Sequence, residues 1–531
     1  MTKGLLAAGE SSDVDAQRAV ERIAAARDAG APRRAIELAT LELNRRPPAE
    51  VEAAIRIERA RSFMRRRAWS EAERDCRRAL GGRQDATAQA LLAQCLLEQR
   101  RSAEAVEALQ AALDDDSPGA WWMLYARALS AQGDHADACA AAERAEQRDP
   151  TLQVQRLNVL AAAGRQPDVI DGARRALVHA PQNAELWTLL GLSLDAVGHS
   201  SEAAAALHHA LALEPDRVGA HCGLGMALLR LGDYAAGFRH YEHRQRGAGR
   251  RRLGVPAWRG EPLAGKHVIV RAEQGLGDTI QFARFLPLLR DGGARTTFIV
   301  PPPLVRLLGS NPTLGDVQGA HPPFQLGDYQ TLVMSLPHHL GLGAGIDIAP
   351  VPFLFAESAL VQHWRERLPA RTKVALAWQG NPSYAGDRWR SMPFEAFDPL
   401  VERFAKEVQF VSLQKHDPKR QLRASRWVEE VLDLSEQVDE AGHAFVDSLA
   451  VLRDVDLLIT TDNGLAHVAG AAGIPSWVLL GTAPDWRWGL RGERTAWYPS
   501  LRLFRQSTGG DWQAVIDRVI AELEQRWRAG A

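Results

Sequence analysis

Residues Leu457–Gly481 read LLITTDNGLAHVAGAAGIPSWVLLG, and their pattern decides the fold of the chain's second half. An apolar run, Leu457–Thr460, stops at the small polar loop Thr461-Asp462-Asn463-Gly464. Small residues at helical spacing follow, then Pro475 and a second apolar run, Trp477–Leu480. Strand, loop, helix, strand is the unit of a parallel α/β sheet. The loop lies where the strand gives way to the helix. The first N–H groups of a helix lack partners inside it and carry partial positive charge, so this corner suits a phosphate. His467 stands one turn in, within reach of the same ligand. The competing reading is a tight strand–helix corner without a ligand.

Working outward, the same alternation begins at Gly265. His267–Arg271 reads as a strand, Glu273–Asp278 as a Gly-rich loop and Thr279–Arg290 as a helix, with further strands at Thr297–Val300 and Thr331–Met334. A second block opens with Val374–Trp378 and continues with strands near Gln409–Leu413, Val431–Leu434 and Leu457–Thr460. It ends with Trp477–Leu480 and a closing helix over about Asp511–Arg528. The pattern predicts two Rossmann-like domains facing one cleft, over 265–370 and 371–531. Ligands in such sheets bind beyond the carboxyl ends of the strands.

The first half is repetitive. Trp187, Leu190, Gly191, Leu194, Gly198, Ala203, Leu207, Ala210 and Pro215 fall on the positions of a tetratricopeptide (TPR) helix–turn–helix unit. Small Gly191 and Ala203 allow close helix approach, and Pro215 ends the second helix. Further copies run through 85–118, through Trp122–Pro150 and from Leu224 to Tyr241, with looser ones at 14–84 and 151–181. About seven repeats are expected over 1–243. One repeat cannot bury its apolar face alone, so repeats stack into a superhelix with a groove for a partner. The competing role is a scaffold or dimerisation arm. Trp121, Trp122 and Trp187 read as packing residues. Residues 244–264 are rich in Arg, Gly and Pro and read as a linker, with Arg250-Arg251-Arg252 as a solvated cluster.

Composition narrows the function. The chain has 531 residues, with 64 Lys plus Arg against 65 Asp plus Glu, so its net charge makes no case for nucleic acid or a membrane surface. Cys76, Cys95, Cys139 and Cys222 form no C-x-x-C pair and read as reduced core thiols. No signal peptide and no unbroken apolar run of about 18 residues is visible, so a cytoplasmic protein without a membrane span is expected.

Three motifs carry a family resemblance. Gly275-Leu276-Gly277-Asp278 follows the first strand, Trp378-Gln379-Gly380-Asn381 precedes Arg388 and Arg390, and Thr461-Asp462-Asn463-Gly464-Leu465-Ala466-His467 closes the set. In that order over about 265 residues they resemble the heptosyltransferase-like family 9 glycosyltransferases of the GT-B fold. The whole resembles bacterial TPR-fused glycosyltransferases, some of which modify flagellin or other proteins. By architecture it also resembles O-GlcNAc transferase, whose motifs fit less well. The Trp486-Arg487-Trp488 cluster departs from the family pattern.

The resemblance implies an inverting transferase that moves a sugar from a nucleotide-sugar donor to a protein acceptor, flagellin among the candidates, held in the TPR groove. The alternatives are a lipopolysaccharide-type glycan transferase with a scaffold TPR, and a non-catalytic adaptor. A homodimer through the TPR array is a further option. Asp278 becomes the candidate base. A carboxylate at a helix N-terminus is stabilised in its charged form, which argues instead for a helix cap, with Glu273 or His467 as substitute bases. The donor set comprises Gly277, Trp378, Asn381, Arg388, Lys415, Thr461, Asp462, Asn463, Gly464, Leu465 and His467. Arg388 matches the motif better than Arg390 as the diphosphate ligand, and Lys415 is a second phosphate candidate. Thr461, Asn463, Gly464 and the N–H groups of Leu465 and Ala466 form the phosphate cradle. Asp462 is expected to cap the helix or hold a ribose hydroxyl. Trp378, Trp486 and Trp488 are candidates to stack on a base or sugar. No D-x-D motif at a strand end and no clustered His/Cys set is present, so chemistry without a cofactor or metal is expected.

Overall fold

The computed structural model describes residues 17–247, 254–319, 327–343, 347–384, 386–440 and 442–529. Among them, seven consecutive helix pairs fill residues 17–241. The chain then turns to alternating strands and helices. It divides into two compact units, Met1–Leu189 and Leu190–Ala531. The expected linker over 244–264 falls inside the second unit, and the cluster Arg250-Arg251-Arg252 lies outside the described residues.

In the first unit the helices bury alanines, leucines and the thiols of Cys76 and Cys95. All four cysteines are free thiols. Asp75 is buried and held by the Arg59 guanidinium through two hydrogen bonds of 2.7 Å. Such a charge stays buried only when it is paired.

The second unit begins inside the helical array, and aromatic packing explains why. Phe238, on the Tyr234–Tyr241 helix, meets Phe282 edge-on at 6.1 Å and Trp486 at 5.7 Å. Tyr234 meets Trp497 at 5.6 Å. Leu229 and Phe238 thus share one continuous apolar core with the α/β part. The helices Val218–Leu231 and Tyr234–Tyr241 lie closely together because Gly225 and Gly237 carry no side chain. A Cβ on Gly225 would sit 2.8 Å from the Tyr241 backbone nitrogen, and one on Gly237 would sit 2.7 Å from Leu229.

Two parallel sheets follow. The first holds β1 (His267–Arg271), β2 (Arg295–Val300), β3 (Asp316–Gly319) and β4 (Tyr329–Leu332) in the order β3-β2-β1-β4. The second holds β5 (Lys373–Ala377), β6 (Gln409–Ser412), β7 (Val431–Asp433), β8 (Leu457–Thr461), β9 (Ser476–Leu480) and β10 (Leu501–Arg505). Its order is β10-β9-β8-β5-β6-β7. Read from β7, this is the doubly wound 3-2-1-4-5-6 order, and the direction of winding reverses between β5 and β8. Val374 pairs with Leu457 and Ala377 with Thr460, so the two strands end side by side. Both faces of this sheet are covered, which is why β8 and β9 are buried at every position. In the first sheet the reversal lies between β1 and β4. The expected Thr279–Arg290 helix is two helices, Leu276–Ala283 and Leu286–Asp291, because Pro287 fits only at a helix start.

Candidate active site

Each sheet presents a loop and a helix N-terminus where its strand order reverses, and the two meet. The loop after β1 leads into the Leu276–Ala283 helix, and the loop after β8 leads into Gly464–Ala471. Gly277 lies against the His467 ring, where a Cβ would stand 2.8 Å from Cδ2. Glycine at 277 therefore sets how closely the two loops approach.

Asp278 sits in the first turn of its helix. One carboxylate oxygen accepts the Gly275 N–H at 2.9 Å, and the other is bonded by the Arg487 guanidinium. The cap expected as an alternative is thus present, together with an ion pair. Arg487 also bonds the Gln281 side-chain oxygen and donates to Asp485 at 2.8 Å. Burial works against its charge, and Asp485 and Asp278 outweigh that effect and raise its proton affinity. Arg487, Asp485 and Gln281 form a cluster that the motifs did not single out. The signal in the sequence was the Asp485-Trp486-Arg487-Trp488 string just past a strand end.

His467 is buried at 6% exposure. Its Nδ1 faces the Tyr498 hydroxyl at 3.1 Å, and its ring stacks on Trp488 at 5.5 Å. Burial, reinforced by Arg487, drives its pKa down to about 3, so the imidazole is neutral. The Tyr498 hydroxyl is pushed up to about 12 by the same burial. Asp462 does not cap the helix: Asn463 does, its side-chain oxygen accepting the Leu465 N–H at 3.0 Å. That bond removes the Leu465 N–H from the expected phosphate cradle. Asp462 is instead buried, and desolvation followed by the repulsion of Asp485 pushes its pKa up to about 6. The Trp488 indole N–H acts on Asp462 but makes no hydrogen bond of normal geometry. Thr461 is buried with its hydroxyl unpaired, and Gly464 lies under the Phe445 ring, 2.6 Å from where a Cβ would be.

The loop after β5 corrects several expectations. Trp378 is fully buried against Phe394, at 4.8 Å between ring centroids, and offers no face to a ligand. The Gln414 side-chain oxygen accepts the N–H groups of Trp378 and Gln379, at 2.9 and 3.0 Å. Asn381 is exposed and accepts the Ser383 N–H at 3.0 Å. Arg388 is exposed and stacks on Trp389 at 4.9 Å. Arg390 is the arginine turned inward. It pairs with Asp387 at 3.2 Å, lies over Tyr384 and acts electrostatically on both Asp462 and His467. Gly380 makes room for it, since a Cβ there would come within 2.4 Å of the guanidinium. Lys415 donates to the carbonyls of Ser435 and Val438, at 2.6 and 2.7 Å, and so ties two loops together. Trp486 and Trp488 are 3% and 1% exposed and belong to the core rather than to a stacking platform. Glu273 is buried and gripped by Arg244, at 2.6 and 3.1 Å.

Asp462 and His467 make stability depend on pH in opposite senses. Asp462 holds its proton more tightly folded than unfolded, so it stabilises at low pH and loses that contribution as pH rises through about 6. His467 binds its proton less tightly folded, so it stabilises above its unfolded pKa of 6.5 and loses that contribution as pH falls toward about 3. The two oppose between about pH 4 and 6. Asp462→Asn removes the first, so its stability should rise with pH across this window by roughly 2 kcal/mol more than the parent's. Urea midpoints at the two ends of the window test this, and parallel curves would refute it.

The tetratricopeptide repeat family model matches residues 57–120, 91–152 and 188–242. The chain carries tetratricopeptide repeats. Protein FlbA of Caulobacter vibrioides is 27% identical over 443 residues, covering 70% of this chain and 72% of that protein. Among solved structures, a glycosyl transferase family 9 protein from Veillonella parvula aligns at 13% identity and a TM-score of 0.34, over 47% of this chain and 88% of its own. The E. coli ADP-heptose lps heptosyltransferase II aligns at 15% identity and a TM-score of 0.33, over 49% and 98%. A tetratricopeptide repeat protein from Parabacteroides merdae aligns at 12% identity and 0.39, over 44% and 94%. Among the described residues no helix is long and apolar enough to cross a membrane.

Proposed function

We propose that the chain is an inverting, metal-independent glycosyltransferase that carries a sugar from a nucleotide-sugar donor to a hydroxyl of a protein acceptor. The observation that carries this reading is the meeting of two loops, Gly275–Asp278 and Thr461–His467, where the strand orders of two parallel sheets reverse. Both loops also bear the motifs of the family resemblance. In this reading the donor's phosphates lie between the Gly464–Ala471 helix start and Arg390. The acceptor oxygen attacks the anomeric carbon, the bond from that carbon to the phosphate oxygen breaks, and the nucleotide leaves. The acceptor's proton passes to Asp278. A carboxylate has about four lone-pair sites, so bonds from Gly275 and Arg487 orient Asp278 and still leave room for a proton. The leaving phosphate's charge is met by Arg390 and by helix N–H groups, an electrostatic role that a metal ion fills elsewhere. The repeats supply the means to hold a protein.

A melting scan of the full chain with UDP, GDP, ADP, CMP and their sugars tests the reading. One nucleotide at a hundred times its Kd should stabilise by about 2.7 kcal/mol, with or without EDTA. Arg390→Gln should lose that effect. No stabilisation by any nucleotide would sink the proposal.

A further inference from the structure

A cavity of about 690 Å³ lies within the Leu190–Ala531 unit, beside the candidate site. The helices Ser200–Leu213 and Val218–Leu231 form one wall, with Ser201 and Leu231, and Tyr234 adjoins them. The segment 486–496 forms the other wall, with Leu490, Arg491 and Arg494. Its size is that of a pocket for a small ligand or a few side chains.

The second wall is held in place. Arg505 donates to the carbonyls of Trp488 at 2.5 Å and of Gly489 and Gly492 at 2.9 Å. The Glu493 carbonyl accepts the Leu503 N–H at 2.9 Å. Three acids nearby are already paired with arginines, and so is Asp278. Glu493 is bound to Arg502 at 2.9 Å, Asp485 and Asp278 to Arg487, and Asp195 to Arg230 at 2.9 Å. Glu202, on the first wall, faces His199 at 3.2 Å. Arg491 and Arg494 are both exposed, and neither makes an ion pair among the described residues. Among the described residues Arg494 makes one hydrogen bond, to the Pro499 carbonyl at 3.3 Å. Two guanidinium groups without an ion-pair partner among the described residues therefore edge a cavity that also offers the exposed Leu231. Guanidinium binds carboxylate through paired donors, so the complementary ligand is acidic.

We propose that this cavity docks an acidic segment of the protein acceptor, a reading that rests on the glycosyltransferase proposal. Arg487 lines the cavity and also clasps Asp278, so one side chain links the cavity to the candidate base. The final repeat and the α/β domain would then recognise the acceptor together, beside the site of chemistry.

The test uses the full chain and fluorescent peptides of equal length that differ only in carrying Glu, Gln or Lys at alternate positions. The Glu peptide should bind, weaken with added salt, and lose at least about tenfold in affinity in the R491E/R494E variant. That variant should prefer the Lys peptide instead. Equal binding of the Glu and Gln peptides, no binding of either, or an unaffected variant overturns the docking site. Nucleotide melting shifts, which R491E/R494E leaves unchanged, report on the transferase reading separately. Charge-dependent peptide binding without any nucleotide effect would keep the docking site and discard the transferase.

Discussion

Asp278→Asn is expected to lower sugar transfer by roughly 10²–10⁴-fold, the usual contribution of a positioned base, while donor binding holds. Asparagine keeps the shape and the oxygen that accepts the Gly275 N–H, so the turn survives. It cannot take a proton. The two rival bases are more deeply buried than Asp278. Both oxygens of Glu273 are held by Arg244, and the residue is 8% exposed. The His467 imidazole has its Nδ1 committed to Tyr498 and its ring buried against Trp488. The Asp278 side chain is 19% exposed and keeps unused lone pairs. Single-turnover transfer, read beside nucleotide melting shifts, checks the prediction. A variant as fast as the parent would remove Asp278 from the chemistry. Loss of both readouts would mean that it only shapes the loop.

The sequence patterns that proved readable were those in which local chemistry and burial agree. Strands β8 and β9 are buried on both faces, so each is a continuous apolar run bounded by turn residues. Strand β3, Asp-Val-Gln-Gly, is short and largely polar, and β10, Leu-Arg-Leu-Phe-Arg, hides its apolar positions between arginines. Neither stood out. The helix after β1 was readable in place but not in extent, because Pro287 splits it. The site divides in the same way. Motif spacing located the loops, since a loop at a strand end is a local feature. It could not give the direction of a side chain. Trp378 follows β5 and turns under Phe394, and Lys415 closes on two carbonyls of the next loop. Arg390, not Arg388, turns inward because Gly380 leaves it space. The Asp278–Arg487 bond joins residues 209 positions apart, a relation no local pattern contains.

Arg487→Ala should cost more stability than any other single substitution at the site. Arg487 is 7% exposed and serves Asp278, Asp485 and Gln281 at once. Its removal strips the counter-charge from two carboxylates, which keep only their backbone donors, and leaves a buried amide oxygen without its guanidinium partner. Breaking a buried pair from one side typically costs about 3–5 kcal/mol. Asp485 is 32% exposed, so water screens part of its loss, which places the expectation at the lower end of that range, about 3 kcal/mol. Arg487→Lys should recover only part of this, because an ammonium cannot reproduce the planar fork that reaches three partners. The decisive comparison is a double-mutant cycle. Asp278→Asn in the Arg487→Met background removes one stranded charge, so the pair should be more stable than the sum of its single changes by about 1–3 kcal/mol. Urea unfolding of the four proteins measures that coupling. Additivity within about 0.5 kcal/mol would show that Arg487 and Asp278 do not depend on each other, and the clasp that orients the candidate base would be lost with it.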